Sequence, residues 1–555
     1  MTFQFRIPTG IQTPEDGFSW HVCDGNQFLA LGNYGTASKP LTSHLRRQSS
    51  GWMSLRLNRM SFRVTRWVGL ACGFAAAAVQ AAVIRFDAAV QQPLQAHHHI
   101  TNQQDTTSSA PWQTYPQDDR TCAANTTHFT GRVPVTAEKE LFFWFAESRR
   151  DPLEDPTILW LNGGPAASSM PGLFQEIGPC ELVGNGTGNG TDATTVNPDS
   201  WANFANLLVL DQPAGAGLST AAGYSAPITL AQGTVDFGVF LAEFTARFPQ
   251  YFNRGFYVAG ESFGGRYAPR YVTDIVSAQL DGERGALPVK IDGLILVDAF
   301  VDGVSHMMGH YELFCTDEYQ ELLRFNDTAC ASIAAAVPRA EYLLSVCQES
   351  QDPHDCDIAV QYAGVNIANY FIEEVEKGRY SPYDLRLPCE LPDVSCIPPA
   401  EFYTETHLNR PEIQKLLGFD KPHEYLAANF SLNAIWSYQP EILIPTTRNV
   451  SWLLDKGDLR MLVFNGVYDA AITTPGMFRE FDQLPWSQKD AFREQPKTDW
   501  HWTDSHGSIF KGGKVKGIPK LQAASVYDAG HMSPGDAKPA VSSLVQQWIE
   551  FSDFN

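Results

Sequence analysis

Positive charge is scarce in this sequence. It holds 40 Lys and Arg against 62 Asp and Glu, a formal net charge of −22; Met1–Ala81 carries eight of the former and three of the latter, so the remaining chain carries −27. Such an acidic surface repels phosphate, which argues against nucleic acid and anionic membranes as partners. Long hydrophobic runs are missing too, since the apolar stretch Trp67–Val79 is too short to span a bilayer comfortably. None of the cysteines stands in the paired C-x-x-C spacing of a zinc site. His97-His98-His99 has no further ligands nearby, and GNGTGNG at 184–190 has neither a strand pattern before it nor a helix pattern after it. No metal and no nucleotide cofactor is therefore expected.

What the chain does contain points to the secretory route. Arg63 and Arg66 precede the apolar run, and small residues follow at Val79-Gln80-Ala81, so residues 60–82 have the layout of a signal peptide cleaved near Ala81 or Ala82. Residues 1–59 read as a non-native or extra extension upstream of a start at Met53 or Met60, and 83–120 as a flexible N-terminal or pro-segment. Ten cysteines become eight without Cys23 and Cys72: Cys122, Cys180, Cys315, Cys330, Cys347, Cys356, Cys389 and Cys396. An even number in a secreted chain predicts disulfides. The Asn-x-Ser/Thr sequons at Asn125, Asn185, Asn189, Asn326, Asn429 and Asn449 fit a glycoprotein of the same compartment.

Apolar runs recur with helical stretches between them: LFFWFA at 141–146, ILWL at 158–161, LLVLD at 207–211, FYVAG at 256–260, LILVDAF at 294–300, MLVFNG at 461–466 and ASVYDAG at 524–530. This alternation predicts a largely parallel α/β sheet with helices on both faces. The rhythm fails between 303 and 430, where helix-like, Cys-rich sequence suggests a cap inserted between two parts of the core, 121–302 and 431–555.

Within this frame Gly260-Glu261-Ser262-Phe263-Gly264-Gly265 follows the run FYVAG and precedes a helix-like stretch. A Gly-x-Ser-x-Gly at a strand-to-helix turn lifts a serine Oγ clear of the sheet as a candidate nucleophile. Serine needs an imidazole to take its proton and a carboxylate to orient that imidazole. In the order Ser, Asp, His both should follow later strands, and Asp469 after MLVFNG and His531 after ASVYDAG do so. The stretch ILWLNGGPAASS, a strand breaking into Asn162-Gly163-Gly164-Pro165, is a turn able to present N–H groups to an anion.

The segments LNGGPAASS, NPDSWANFANLLVLDQPAGAGLS, GESFGGRYAP, HLNRPEIQKLLGF and GHMSPGD, in this order over roughly residues 120–550, resemble the serine carboxypeptidases, the carboxypeptidase Y family. The resemblance implies an α/β-hydrolase fold with an inserted cap, Ser262 as nucleophile, His531 as base and Asp469 as its orienting acid. It also implies an oxyanion hole from the N–H groups of Gly164 and Phe263, and recognition of the substrate's terminal carboxylate by Asn162, Glu176 and Glu261. Two acids beside an anion are compatible with binding if they share a proton, which favours work in acid.

Several positions depart from the family pattern. Phe263 replaces the usual Tyr; Ala167 replaces a frequent Cys, so one family disulfide is absent, and Cys122–Cys180 is a candidate pair in its place. Val467 and Ile472 flank Asp469 where Asp and Cys are often found, Val297-Asp298-Ala299 replaces Gly-Asn-Gly, and Lys538 interrupts the segment after His531. Ala166 occupies a position that is usually glycine. Pro165 restricts Gly164 and leaves the sign of φ at residue 166 open; the tolerant case, a negative φ with an active enzyme, is expected.

The function implied is a secreted, alternatively vacuolar, serine carboxypeptidase releasing C-terminal residues of peptides through an acyl-enzyme at acidic pH. An acyltransferase on the same scaffold, or a catalytically impaired secreted homologue, is the alternative reading.

Overall fold

Strands buried on both faces must read as unbroken apolar runs, because helices cover them above and below. Thr157–Leu161, Asn206–Leu210, Phe256–Glu261 and Gly293–Val297 are of this kind, with every residue buried. The computed structural model describes residues 21–23, 27–29, 112–184, 193–389, 396–397 and 402–551. The chain divides into two units, Met1–Leu57 and Asn58–Asn555. In the first, His21–Cys23 pairs antiparallel with Gln27–Leu29. The residues read as a signal peptide, His97–His99, Asn185 and Asn189 lie outside the described residues.

The second unit is built on one sheet. Its strands are β1 (Thr114–Pro116), β2 (His128–Pro134), β3 (Lys139–Ala146), β4 (Thr157–Leu161), β5 (Asn206–Leu210), β6 (Phe256–Glu261), β7 (Gly293–Val297), β8 (Arg460–Gly466), β9 (Thr498–Thr503), β10 (Ile509–Ile518) and β11 (Leu521–Val526), and Thr220–Ala221 pairs beside β3. The order across the sheet is β9-β10-β11-β8-β7-β6-β4-β5-β3-β2-β1. The six strands from β11 to β5 are parallel. Both flanks are antiparallel. Each of the seven apolar runs contributes a strand to this sheet, and those at 207–211, 294–300 and 524–530 continue past the strand end into the loop. The flanking strands β9 and β10 did not stand out in the sequence because many of their residues face solvent.

Alternate residues of a strand face opposite sides. Phe143, Phe145, Leu159 and Leu161 enter one core with Phe237, Phe240 and Phe244 of helix α1 (Leu230–Arg247) and Tyr271 of α2 (Gly264–Leu280). Phe142, Trp144, Ile158 and Trp160 enter the other with Val541, Leu544 and Trp548 of the C-terminal helix Lys538–Phe551.

Two expected boundaries look different in the fold. Residues 83–111 lie outside the described residues, and the remainder of that segment joins the fold, since β1 pairs with β2 and Trp112 packs against the core. Nor is 303–430 one cap. Asp327–Ser350 and Pro353–Ala363 form a core of their own with Met307 and Met308, whereas Leu408, Ile413, Leu417 and Tyr425 belong to the core beneath the sheet.

The eight cysteines pair as Cys122–Cys180, Cys315–Cys330, Cys347–Cys356 and Cys389–Cys396. Of the described sequons, Asn125 and Asn326 are exposed and Asn449 is half-buried. Asn429 is half-buried in a bonded position: its Nδ2, the atom a glycan would occupy, donates to Gly215 O at 2.9 Å while Oδ1 accepts from Leu432 N at 3.1 Å. A glycan there would compete with the first of these bonds.

Candidate active site

Parallel strands deliver their carboxyl ends to one edge of the sheet, where ligands bind in open α/β folds. Here β4 leads into Asn162-Gly163-Gly164, β6 ends on Glu261 and leads into Ser262, β7 into Asp298, β8 toward Asp469 and β11 toward His531. Ser262 sits at φ +56°, the strained elbow expected of an exposed nucleophile. Small neighbours make it possible. A Cβ on Gly260 would stand 2.6 Å from Gly264 O, and one on Gly163 would stand 2.3 Å from the Phe263 nitrogen. The elbow and the NGGP turn thus touch backbone to backbone.

His531 Nδ1 lies 2.6 Å from Asp469 Oδ2, and the other carboxylate oxygen accepts from the N–H groups of Ala471 and Ile472, both at 2.9 Å. Burial pushes the Asp469 carboxyl upward, and the imidazole together with the two N–H donors opposes that shift. The backbone N–H of His531 donates to Tyr383 O at 2.7 Å, which fixes the loop. Ser262 and His531 line one cleft of about 590 Å³ together with Asn162, Gly164 and Glu261. Its other walls include Pro171, Tyr383, Phe402, Ala428 and Met532.

Among the described residues, the N–H groups of Gly164 and Phe263 have no hydrogen-bond partner. The turn carrying Gly164 is held from several sides. Asp211 accepts from Ser168 Oγ, Ser169 N and Leu218 N, each at 2.7 Å, and burial raises its carboxyl to about 6. The segment ending in helix Phe430–Ser437 clamps the turn from above: Ser168 N donates to Ala427 O at 2.8 Å, Asn429 N to Ala166 O at 3.0 Å and Asn433 Nδ2 to Pro165 O at 2.9 Å.

Ala166 contradicts the sequence expectation of a negative φ. It stands at φ +64°, the left-handed region where a side chain costs about 1 kcal/mol. Its N–H donates to the Tyr267 hydroxyl at 3.3 Å and its methyl is fully buried in the core, so surrounding contacts hold the strained conformation.

Asn162, Glu176 and Glu261, the residues expected to meet a substrate carboxylate, also come together. Trp160 Nε1 donates to Asn162 Oδ1 at 2.7 Å, which turns the Asn162 amide N–H₂ toward Glu261, and it donates to Glu261 Oε2. Glu176, at the end of the turn Gly172–Glu176, faces both. Burial pushes its carboxyl up to about 7 against the opposing pull of Glu261 and Asn162, so it keeps its proton through the acid range. The sequence had not singled out Trp160, Asp211, Tyr267 or Asn433. Their signal, conventional core and loop residue types, carries no mark of their partners.

A serine elbow at the carboxyl edge of a parallel sheet, with a histidine and a buried aspartate on later loops, is the arrangement of an α/β-hydrolase. The serine carboxypeptidase family model matches residues 116–551, and the chain belongs to that family. It is 31% identical over 431 residues to carboxypeptidase Y of Saccharomyces cerevisiae, covering 77% of this chain and 76% of that protein. A carboxypeptidase Y of Candida albicans is 31% identical over 422 residues, 76% of this chain and 73% of the other. Among solved structures, the prohormone-processing carboxypeptidase Kex1 of Saccharomyces cerevisiae superposes with a TM-score of 0.63 at 21% identity, over 78% of this chain and 95% of that one, a likeness of fold. The protein is a serine carboxypeptidase, a hydrolase of peptide bonds.

Proposed function

We propose that the enzyme removes single residues from peptides with free C-termini, in acid, using Ser262, His531 and Asp469. His531 takes the Ser262 proton as Oγ attacks the last peptide carbonyl, and Asp469 holds the imidazole tautomer and stabilises the imidazolium. The negative charge that develops on the carbonyl oxygen is met by the Gly164 and Phe263 N–H groups, donors typically worth ~2.7–4 kcal/mol each. His531 then protonates the departing amine, the C-terminal amino acid leaves, and water hydrolyses the acyl-Ser262 ester by the same route in reverse. No metal or nucleotide takes part in these steps.

The observation that carries the exopeptidase reading is the Asn162–Glu261–Glu176 group beside Ser262. With one proton shared by the two acids, the group donates hydrogen bonds to a substrate carboxylate and repels it little. Glu176 near 7 keeps that proton across the acid range. The apolar cleft walls, Pro171, Phe402, Ala428 and Met532, favour apolar terminal residues. Four disulfides and the leader-like residues 60–82 support residence in the secretory route or a vacuole. An organophosphorus serine reagent should label Ser262 stoichiometrically and abolish release of the terminal residue from a blocked dipeptide; labelling that persists in Ser262→Ala overturns the assignment.

A further inference from the structure

A third carboxyl lies beside the triad. Asp298 follows β7 at φ +42°, fully buried, and its backbone N–H donates to Phe464 O on β8 at 2.9 Å. Its side chain bridges two loops. Oδ1 accepts from Gly466 N at 2.8 Å, at the end of the strand that leads to Asp469, and Oδ2 accepts from the Ser533 hydroxyl, two residues after His531. The acid is therefore a crosspiece between the loop that carries the orienting carboxylate and the loop that carries the base. The titratable groups around it are Asp469 on the loop after β8, Glu176 on the turn Gly172–Glu176 and, through Asp469, His531 on the loop after β11. The two titratable groups that act on it directly, Asp469 and Glu176, are both acids.

We propose that Asp298 is a positioning residue that works as a neutral carboxyl, holding the Asp469 and His531 loops in register, and that its ionisation disables the triad as pH rises. The proposal rests on the triad reading above. In the neutral form Oδ1 still accepts from Gly466, and an acid O–H at Oδ2 donates to the Ser533 hydroxyl oxygen, so both loops stay tied. Loss of the proton places a second negative charge in a dry site next to Asp469, where like charges repel strongly. Burial and Asp469 both push the Asp298 carboxyl well above the ordinary carboxylate range, which keeps it neutral in acid.

Asparagine has the shape of the neutral acid: its Oδ1 accepts from Gly466 and its Nδ2 donates to Ser533. Asp298→Asn should keep kcat within about threefold of the natural enzyme at pH 5 and move the alkaline decline of kcat upward by about one pH unit or more. Asp298→Ala should lower kcat by about tenfold or more at every pH with KM changed less than about threefold. Should that variant fold poorly, Ser533→Ala reads the same bridge from its other end and should lower kcat in the same sense. An Asp298→Asn profile that superimposes on the natural one, or a loss at pH 5 as large as that of alanine, overturns the proposal. His531→Ala in the same assay separates the two readings. If it is inactive while the Asp298→Asn profile is unmoved, only the role of Asp298 fails; if it stays active, the triad itself fails.

Discussion

Replacing Ala166 by glycine tests how the oxyanion turn is held. At φ +64° the alanine side chain carries about 1–2 kcal/mol of left-handed strain, which glycine releases. Two terms oppose the gain. The methyl group is fully buried, worth about 0.8 kcal/mol, and the unfolded chain gains about 0.4–1 kcal/mol of conformational freedom with glycine. The sum lies within about 1 kcal/mol of zero, so urea unfolding should show a midpoint close to the natural one. Catalysis depends instead on whether the Gly164 N–H moves. The bonds from Ala166 N to Tyr267, from Asn429 N to Ala166 O and from Asn433 to Pro165 O hold the backbone independently of the methyl. Steady-state hydrolysis of a blocked dipeptide should therefore show kcat/KM within roughly tenfold of the natural enzyme, about 1.4 kcal/mol. A gain of several hundredfold would refute this reasoning. It would mean that strain at residue 166 tilts the Gly164 donor away from the reacting oxygen.

Glu176→Gln should flatten the pH dependence of carboxylate recognition: in the natural enzyme KM for a free-carboxylate substrate rises by up to about tenfold per unit above pH 7, while an amidated analogue responds less. Equal KM profiles for the variant and the natural enzyme would remove the proton-sharing role. Glu176, raised by burial from 4.5 to about 7, holds a proton in the folded state that the unfolded chain releases, so it loses stability as pH climbs from about 4.5 to about 7. The urea midpoint of the natural enzyme relative to that of Glu176→Gln should therefore fall over this interval, and a difference that stays constant would contradict the assignment. A mercurial should inactivate slowly, since the eight cysteines from Cys122 to Cys396 are paired and Ile472 stands beside Asp469 where relatives often place Cys; rapid loss of activity would show a reactive thiol at the site.

The sequence by itself determined the parallel centre of the sheet and the chemical identities at its edge. Strands buried on both faces leave unbroken apolar runs, and a serine elbow demands small residues at fixed offsets, so β4, β6, β7, β8 and β11 and the groups following them were legible without coordinates. Partly exposed antiparallel strands such as β9 and β10 have no such demand placed on them and escaped notice. The tertiary structure alone decided the rest, because it depends on contacts between residues far apart in the chain. The sign of φ at Ala166 is set by Tyr267 and by the segment 427–433. The amide direction of Asn162 is set by Trp160 on the preceding strand. That Asp298 bridges the loops of Asp469 and His531 follows from three strands lying side by side, β7, β8 and β11, and a local reading of Val297-Asp298-Ala299 contains none of those neighbours.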